Sequence, residues 1–377
     1  MGAWPGKFVI GLTGNIATGK SVVRKMLEHL GAYGIDADAL SHRAIAQGSP
    51  GYEPVVDTFG KWILAPDRQI DRAKLGRVVF SDPAAMAQLE AIVHPLVGQA
   101  VDILVRRSQQ AVIVIEAIKL IESGIKDKCD SLWVTYSPHD KQLARLMQKR
   151  GMSEAAARQM ISAQPPQEKK TTLAQVVIRN DGSFEDTWQK VYLAWQRLFP
   201  SVEPETLQPS RAVAGELAVY RARPREADDI ATLINRLSGG VRKLTHEDVM
   251  AAFGDKAFLL LRLDGKALGV VGWKVENLVA RTDDVYLEDS ISLVDGLRVL
   301  MTEVERVSRE LQCEISLLFM PVGYRSQAPV FRALGYQPRT VQGLGVRAWE
   351  EAAIESMPSN SLMFFKQLRQ DRVLRPV

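Results

Sequence analysis

The segment Gly14-Asn15-Ile16-Ala17-Thr18-Gly19-Lys20-Ser21 fits the spacing G-x-x-x-x-G-K-[ST] in full. That spacing binds phosphate: successive backbone N–H groups and a helix N-terminus point at one anion. Gly14 and Gly19 let the backbone turn and approach the ligand closely. Lys20 reaches the β- and γ-phosphates, and the Ser21 hydroxyl is the candidate Mg²⁺ ligand. The expected ATP contacts run from Gly14 through Val22, with Asn15, Ile16, Ala17 and Thr18 supplying the loop. A second chemical feature is Asp36-Ala37-Asp38, which follows a short apolar stretch. A carboxylate there can take a proton from an attacking hydroxyl, or it can cap a helix. No N-K-x-D segment that would read guanine occurs.

These residues need positioning elements. Lys7–Thr13 is short and almost wholly apolar, as a strand buried on both faces of a parallel sheet would be. Val22, Val23, Met26, Leu27 and Leu30 then recur at helical spacing, and Gly31 closes that helix. Further strands are expected at Tyr33–Ile35, Ala111–Glu116, Ser131–Tyr136 and Gln175–Arg179, with helices between them and a mostly helical Ala39–Leu104. The alternation predicts an α/β fold, a parallel sheet with helices on both faces. Ligands of such sheets bind outside the carboxyl ends of the strands, where the P-loop and the Asp pair both lie. Arg145, Lys149 and Arg150 form a basic cluster on a predicted helix, either a solvated face or a phosphate-facing one.

The chain has 377 residues, of which 46% are apolar and 24% charged, enough for two cores. Its formal charge of +4 comes from 48 basic against 44 acidic residues, which does not suggest a polybasic nucleic-acid binder. Cys129 and Cys313 are far apart and lack metal spacing, so two buried free thiols and a reducing, cytoplasmic compartment are expected. No signal peptide and no apolar run long enough for a membrane span are expected.

The first part resembles the dephospho-CoA kinase family over residues 7–199. Beyond the P-loop and Ile35–Asp38, the resemblance rests on Asp71-Arg72, Leu89-Glu90, Ile92-Val93-His94-Pro95 and Ile121-Glu122-Ser123-Gly124. It continues through Gln142–Arg145, Ile161–Gln164 with Glu168-Lys169, and Val177–Ser183. It implies transfer of the ATP γ-phosphoryl to the ribose 3′-hydroxyl of dephospho-CoA, with ATP and Mg²⁺ as cofactors. It also implies Asp38 as general base, Arg145 as a lid arginine and Lys20 as the third catalytic residue, with Asp36, Arg72, His94 and Glu122 toward the substrate. Read alone, His94 before Pro95 suggests a turn or helix end. Departures from the family pattern are Asn15 and Ala17 where Gly is usual, Val22 for Thr, His42 for Arg, and Glu116–Glu122 with Lys119 and no Pro. Ala17 is expected to be tolerated with negative φ, while Asn15 enters the left-handed region more readily.

Pro200–Ser210 holds three prolines without apolar periodicity and reads as a linker, here taken as 200–214. After it, Tyr220–Pro224, the hairpin through Gly265, Gly269–Trp273 and Phe331–Tyr336 resemble the GNAT acetyltransferase fold. This implies a second, α+β domain over residues 215–377 and acyl-CoA as a possible ligand. The Gly-rich, basic turn that cradles the acyl-CoA pyrophosphate is missing: Ile291–Arg298 has one Gly, one Arg and the repelling Asp295. A domain that docks or binds is therefore preferred over one that catalyses. The readings in competition are the CoA-forming kinase, another P-loop nucleoside or small-molecule kinase, a bifunctional kinase and N-acetyltransferase, and a non-catalytic nucleotide sensor.

Overall fold

The computed structural model describes residues 2–200 and 215–374. Of the segment expected as a linker, 200–214, residues 201–214 lie outside them. Two sheets organise the chain.

The first is parallel, with strands β1 (Phe8–Thr13), β2 (Tyr33–Asp36), β3 (Val112–Glu116), β4 (Ser131–Tyr136) and β5 (Val176–Arg179) in the order β2-β3-β1-β4-β5. Its helices are α1 (Lys20–His29), α2 (Ala37–Ala44), α3 (Tyr52–Phe59), α4 (Arg72–Ser81), α5 (Pro83–Arg107), α6 (His139–Arg150), α7 (Glu154–Ser162), α8 (Glu168–Thr171) and α9 (Phe184–Leu198). One core, on the α2–α5 side, includes Val9, Ile35, Ile113, Ile115, Val101 and Leu104. The opposite core packs Ile10, Leu12, Val114 and Trp133 against Val23, Leu27 and Trp195 of α1 and α9. β1 and β3 feed both cores because alternate side chains of a central strand leave on opposite faces. This register places the ends of β1, β2 and β3 side by side, with Leu12 opposite Glu116 and Glu116 opposite Asp36.

Helix α5 corrects one expectation, the placement of His94. It is long and apolar enough to cross a membrane by length and composition, although Val93, Val97, Val101 and Leu104 bury one face in the first core. His94 lies inside it rather than at a turn or a helix end, with Pro95 within the helix.

The second sheet is mixed: β6 (Leu217–Arg221), β7 (Ala257–Leu263), β8 (Lys266–Glu276), β9 (Val279–Leu287), β10 (Ile315–Pro321), β11 (Gln337–Pro338) and β12 (Ser361–Gln367), in the order β11-β12-β10-β9-β8-β7-β6. Only β9 and β10 pair in parallel. Its helices are α10 (Ala227–Leu237), α11 (His246–Ala252), α12 (Leu293–Glu310), α13 (Ala328–Ala333) and α14 (Arg347–Ser356). The second half is thus α+β, as expected, with β9, β11, β12 and α11 added to the elements read from sequence.

The halves pack on one another through buried polar contacts. Arg43 Nη2 meets Glu314 Oε1 at 2.5 Å and its Nη1 donates to Asn277 O at 2.6 Å. Trp349 Nε1 donates to the other Glu314 oxygen at 2.9 Å. Lys25 Nζ donates to Val275 O, and His29 Nε2 lies 2.8 Å from Phe253 O. Leu278, at the β8–β9 turn, is buried in the core of the first half.

Candidate active site

The P-loop joins β1 to α1. Gly19 caps α1 in the left-handed region with φ 92°, and a Cβ there would fall 1.8 Å from Asn180 Nδ2. At Gly14 a Cβ would fall 2.6 Å from Thr135 O. Both positions require glycine on space as well as on backbone. Asn180 Nδ2 in turn donates to Thr18 O, and Thr18 Oγ1 lies 2.7 Å from Thr135 Oγ1, so the loop is tied to the ends of β4 and β5.

Ala17 departs from expectation. Its φ is 56°, left-handed, whereas Asn15 is absent from the left-handed residues. The methyl is accommodated, and the backbone holds a conformation that costs an L-residue roughly 1–2 kcal/mol. The Ala17 carbonyl accepts from Arg145 Nη1 at 3.0 Å.

Lys20 is buried and its Nζ donates to Asn15 O at 3.2 Å. Burial lowers its pKa, opposed by the charges of Glu116, Asp38 and Asp36. Ser21 Oγ donates to Glu116 Oε1 at 2.8 Å, and Arg24 Nε holds the other oxygen at 2.7 Å. A hydroxyl and an adjoining carboxylate, completed by phosphate oxygens and water, suit Mg²⁺, which takes few protein ligands. The buried ammonium and the glycine turns likewise suit a polyphosphate.

The Asp pair divides its roles. Asp36 Oδ1 accepts from Ala39 N at 2.8 Å and caps α2. Burial, then the Glu116 charge, lifts its pKa to about 6. Asp38, in the first turn of α2, accepts from Ile118 N at 3.0 Å. Burial also raises its pKa, with the Ile118 N–H and Lys20 pulling it down. A carboxylate so placed is a stronger base than one in water.

Helices α6 and α7 lie over the loop as a lid. Ile16, Leu146, Ala157 and Ile161 form a small core between lid and loop. Gln164 Oε1 accepts from Ile16 N at 2.7 Å, and Asn15 Nδ2 donates to Pro165 O. Arg145 donates to Ala17 O, Ser137 Oγ and Asn180 O. It is half-buried and makes all three bonds to neutral oxygens, so its charge is available to an anion. Val22 lines the same cleft.

The remaining candidates scatter. Glu122 is exposed, and its charge reaches Lys170. Arg72 opens α4 and pairs with Glu351 of the second half at 2.9 Å. His94 is half-buried on α5.

Two residues of the candidate site are not singled out by the sequence. Glu116 was visible as the polar end of a buried strand, but its partners Ser21 and Arg24 are remote in sequence. Lys170 is buried, donates to Ile118 O at 2.6 Å, and acts electrostatically on Asp38. Its only local signal was a Lys pair after Glu168.

The family model described as dephospho-CoA kinase matches residues 8–186. The chain is 42% identical over 195 residues to the dephospho-CoA kinase of Geobacter sulfurreducens, covering 51% of this chain and 99% of that protein. The structure of dephospho-CoA kinase from Campylobacter jejuni is 28% identical with a TM-score of 0.38, covering 50% of this chain and 96% of that one. A putative acetyltransferase from Salmonella typhimurium, solved with acetyl-CoA, is 10% identical with a TM-score of 0.32, covering 41% of this chain and 95% of that one.

Proposed function

The chain belongs to the dephospho-CoA kinase family, and from that premise we propose how its own residues transfer the ATP γ-phosphoryl to the ribose 3′-hydroxyl of dephospho-CoA, giving CoA and ADP. The observation that carries this reading is the convergence of Lys20, Ser21, Glu116 and Asp38 at the adjoining ends of β1, β3 and β2.

Gly14–Val22 hold the triphosphate, with Lys20 placed at the β- and γ-phosphates. Ser21 and Glu116 would hold Mg²⁺, which supplies charge neutralisation on the phosphates when bound. Asp38 takes the proton of the 3′-hydroxyl, its orientation kept by the Ile118 N–H. Arg145, tethered to the P-loop carbonyl, meets the charge of the phosphoryl in flight. The α6–α7 lid excludes water from it. Asp36 sets the angle of α2 and hence of Asp38. Arg72, His94 and Glu122 are assigned to the more distant parts of the acceptor.

Residues 1–199 are taken as the kinase domain and 215–377 as an appended, non-catalytic domain. Asp295 in the first turn of α12 supports the second assignment, because it opposes an anion at that helix N-terminus. The free thiols Cys129 and Cys313 support a reducing, cytoplasmic setting, and the mixed surface charge supports a small-molecule substrate over nucleic acid.

CoA formation from dephospho-CoA, ATP and Mg²⁺, set against a panel of nucleoside monophosphates, tests the reaction. Asp38→Asn is expected to lower kcat by about 10²–10⁴-fold with little change in KM for ATP. Wild-type turnover in that variant removes Asp38 from its role. Acetyl-CoA titrated into CoA-free protein should bind at no more than one site per chain; a stoichiometry of two would restore acyl-CoA binding to the appended domain.

A further inference from the structure

The cleft above the P-loop is not walled by the kinase half alone. It is an open cleft of about 520 Å³, lined by Lys20, Arg145, Gly182 and Phe184 of the first half and by Ala251, Gly254, Asp255 and Glu276 of the second. That volume is typical of a small-molecule site.

The contributed wall is fixed in place. Gly254 lies so close to Phe184 that a Cβ would sit 3.2 Å from its ring. The next residue back, Phe253, is fully buried; its ring meets His29 edge-on at 5.4 Å and its carbonyl is 2.8 Å from His29 Nε2. Asp255 is held by Lys274 at 3.0 Å. Glu276 ends β8, beside the Val275 carbonyl that accepts from Lys25 of α1.

The chemistry of the wall says which end of the nucleotide it faces. Ala251 and Gly254 present little side chain, which leaves room for a flat group. Asp255 and Glu276 are carboxylates, which repel phosphate and accept from hydroxyl or amino groups. The phosphates are already committed to the loop and the start of α1. The part of the cleft beside Gly182 and Phe184, where Gly254 packs and Asp255 follows, is therefore left to the nucleoside.

We propose that the second half completes the ATP site of the kinase, with Ala251 and Gly254 forming one wall of the nucleoside pocket and Asp255 accepting a hydrogen bond from the ATP ribose hydroxyls. This rests on the kinase reading and adds to it a binding residue drawn from the appended domain. It also gives the appended domain a role that needs no acyl-CoA chemistry. The active site is then composite, and ATP affinity depends on the two halves being docked.

The test compares KM for ATP and for 2′,3′-dideoxy-ATP in the full chain, for wild type, Asp255→Ala and Ala251→Trp. Asp255→Ala should raise KM for ATP roughly tenfold, the effect expected of a lost charge-assisted hydrogen bond. It should leave KM for the dideoxy nucleotide, kcat and KM for dephospho-CoA within about twofold. Ala251→Trp, which intrudes on the pocket without touching the loop, should raise KM for both nucleotides. An unchanged KM for ATP in Asp255→Ala, or an equal rise for both nucleotides, overturns the hydrogen bond. An unchanged KM in a folded Ala251→Trp overturns the wall. Wild-type protein that binds ATP but forms no CoA would count against the kinase reading alone, and the same comparison is then made with Kd for the two nucleotides.

Discussion

Of the helices that follow a strand, α1 and α12 make the telling pair for phosphate binding. At α1, Gly19 turns the chain left-handed, Lys20 follows at once, and the first turn has no acidic residue. At α12, Ser292 precedes the helix with φ −54° and Asp295 occupies its first turn, paired with Arg298 at 3.2 Å. The backbone dipole is the same device in both places. What differs is the approach path for an anion and the sign of the side chain beside it. A helix N-terminus is thus a common resource that becomes a phosphate site only where glycine and a cation open it.

The sharpest test of that contrast is to remove the charge from each cradle. Lys20→Ala should cut CoA formation by at least about 10³-fold. Asp295→Ala should leave the rate within about twofold, since no step passes through α12. A comparable loss from Asp295→Ala would erase the distinction drawn between the two helices.

A smaller effect concerns the contact that brings the second half to the first cradle. His29 is buried at the end of α1, with its Nε2 toward Phe253 O and its Nδ1 3.4 Å from Arg221 Nη2. Burial first, then the Arg221 guanidinium, lowers its pKa to about 3, while Glu28 and the Phe253 carbonyl pull upward and Lys25 adds a further downward push. The native ring therefore stays neutral where an unfolded one, near the ordinary value of 6.5, would take up a proton. Its contribution to stability is whole above that value and is lost as pH falls from it toward 3. Thermal melts of wild type and His29→Gln between pH 8 and pH 4 should show a steeper acid decline in wild type. Parallel curves would remove His29 from the account.

The smallest expected effect lies inside the working cradle. Ala17→Gly relieves the left-handed alanine and should stabilise the protein by about 1 kcal/mol, a rise in Tm of about 1 °C for a chain of this length melting as one unit. A fall in Tm would mean that the φ of 56° carries no strain.

The P-loop, the Asp pair and the alternation of β1 to β5 were legible because each is written in contiguous residues. The positive φ of Ala17 was not: motif spacing does not reveal backbone conformation. Strand β9 escaped because its run Val279–Leu287 mixes Arg281, Asp283 and Asp284 with apolar residues, and its pairing with β8 shifts register between Val270 and Gly272. The β8–β9 turn has left-handed Asn277 and Leu278 with no glycine to announce it. Strand β12 was not read from the sequence; it is an inner strand through its partners β10 and β11. Glu116 and Lys170 reach the candidate site only by tertiary contact, and the Asp255 wall comes from the second sheet's half. Local chemistry is readable in sequence; convergence from distant segments is not.

The bond between Arg43 and Glu314 also bears on how the protein comes apart. Both side chains are almost wholly sealed from water, at 9% and 1% exposure, and Trp349 and Asn277 complete their hydrogen bonding. Separating the halves would strand two opposite charges in apolar surroundings until water reached them, and stranding one partner of such a pair costs about 3–5 kcal/mol. Partial opening is therefore disfavoured relative to staying shut or letting go entirely. The chain, although built on two sheets, should melt in a single cooperative step, and its appended half behaves as a structural part of the enzyme rather than a removable passenger.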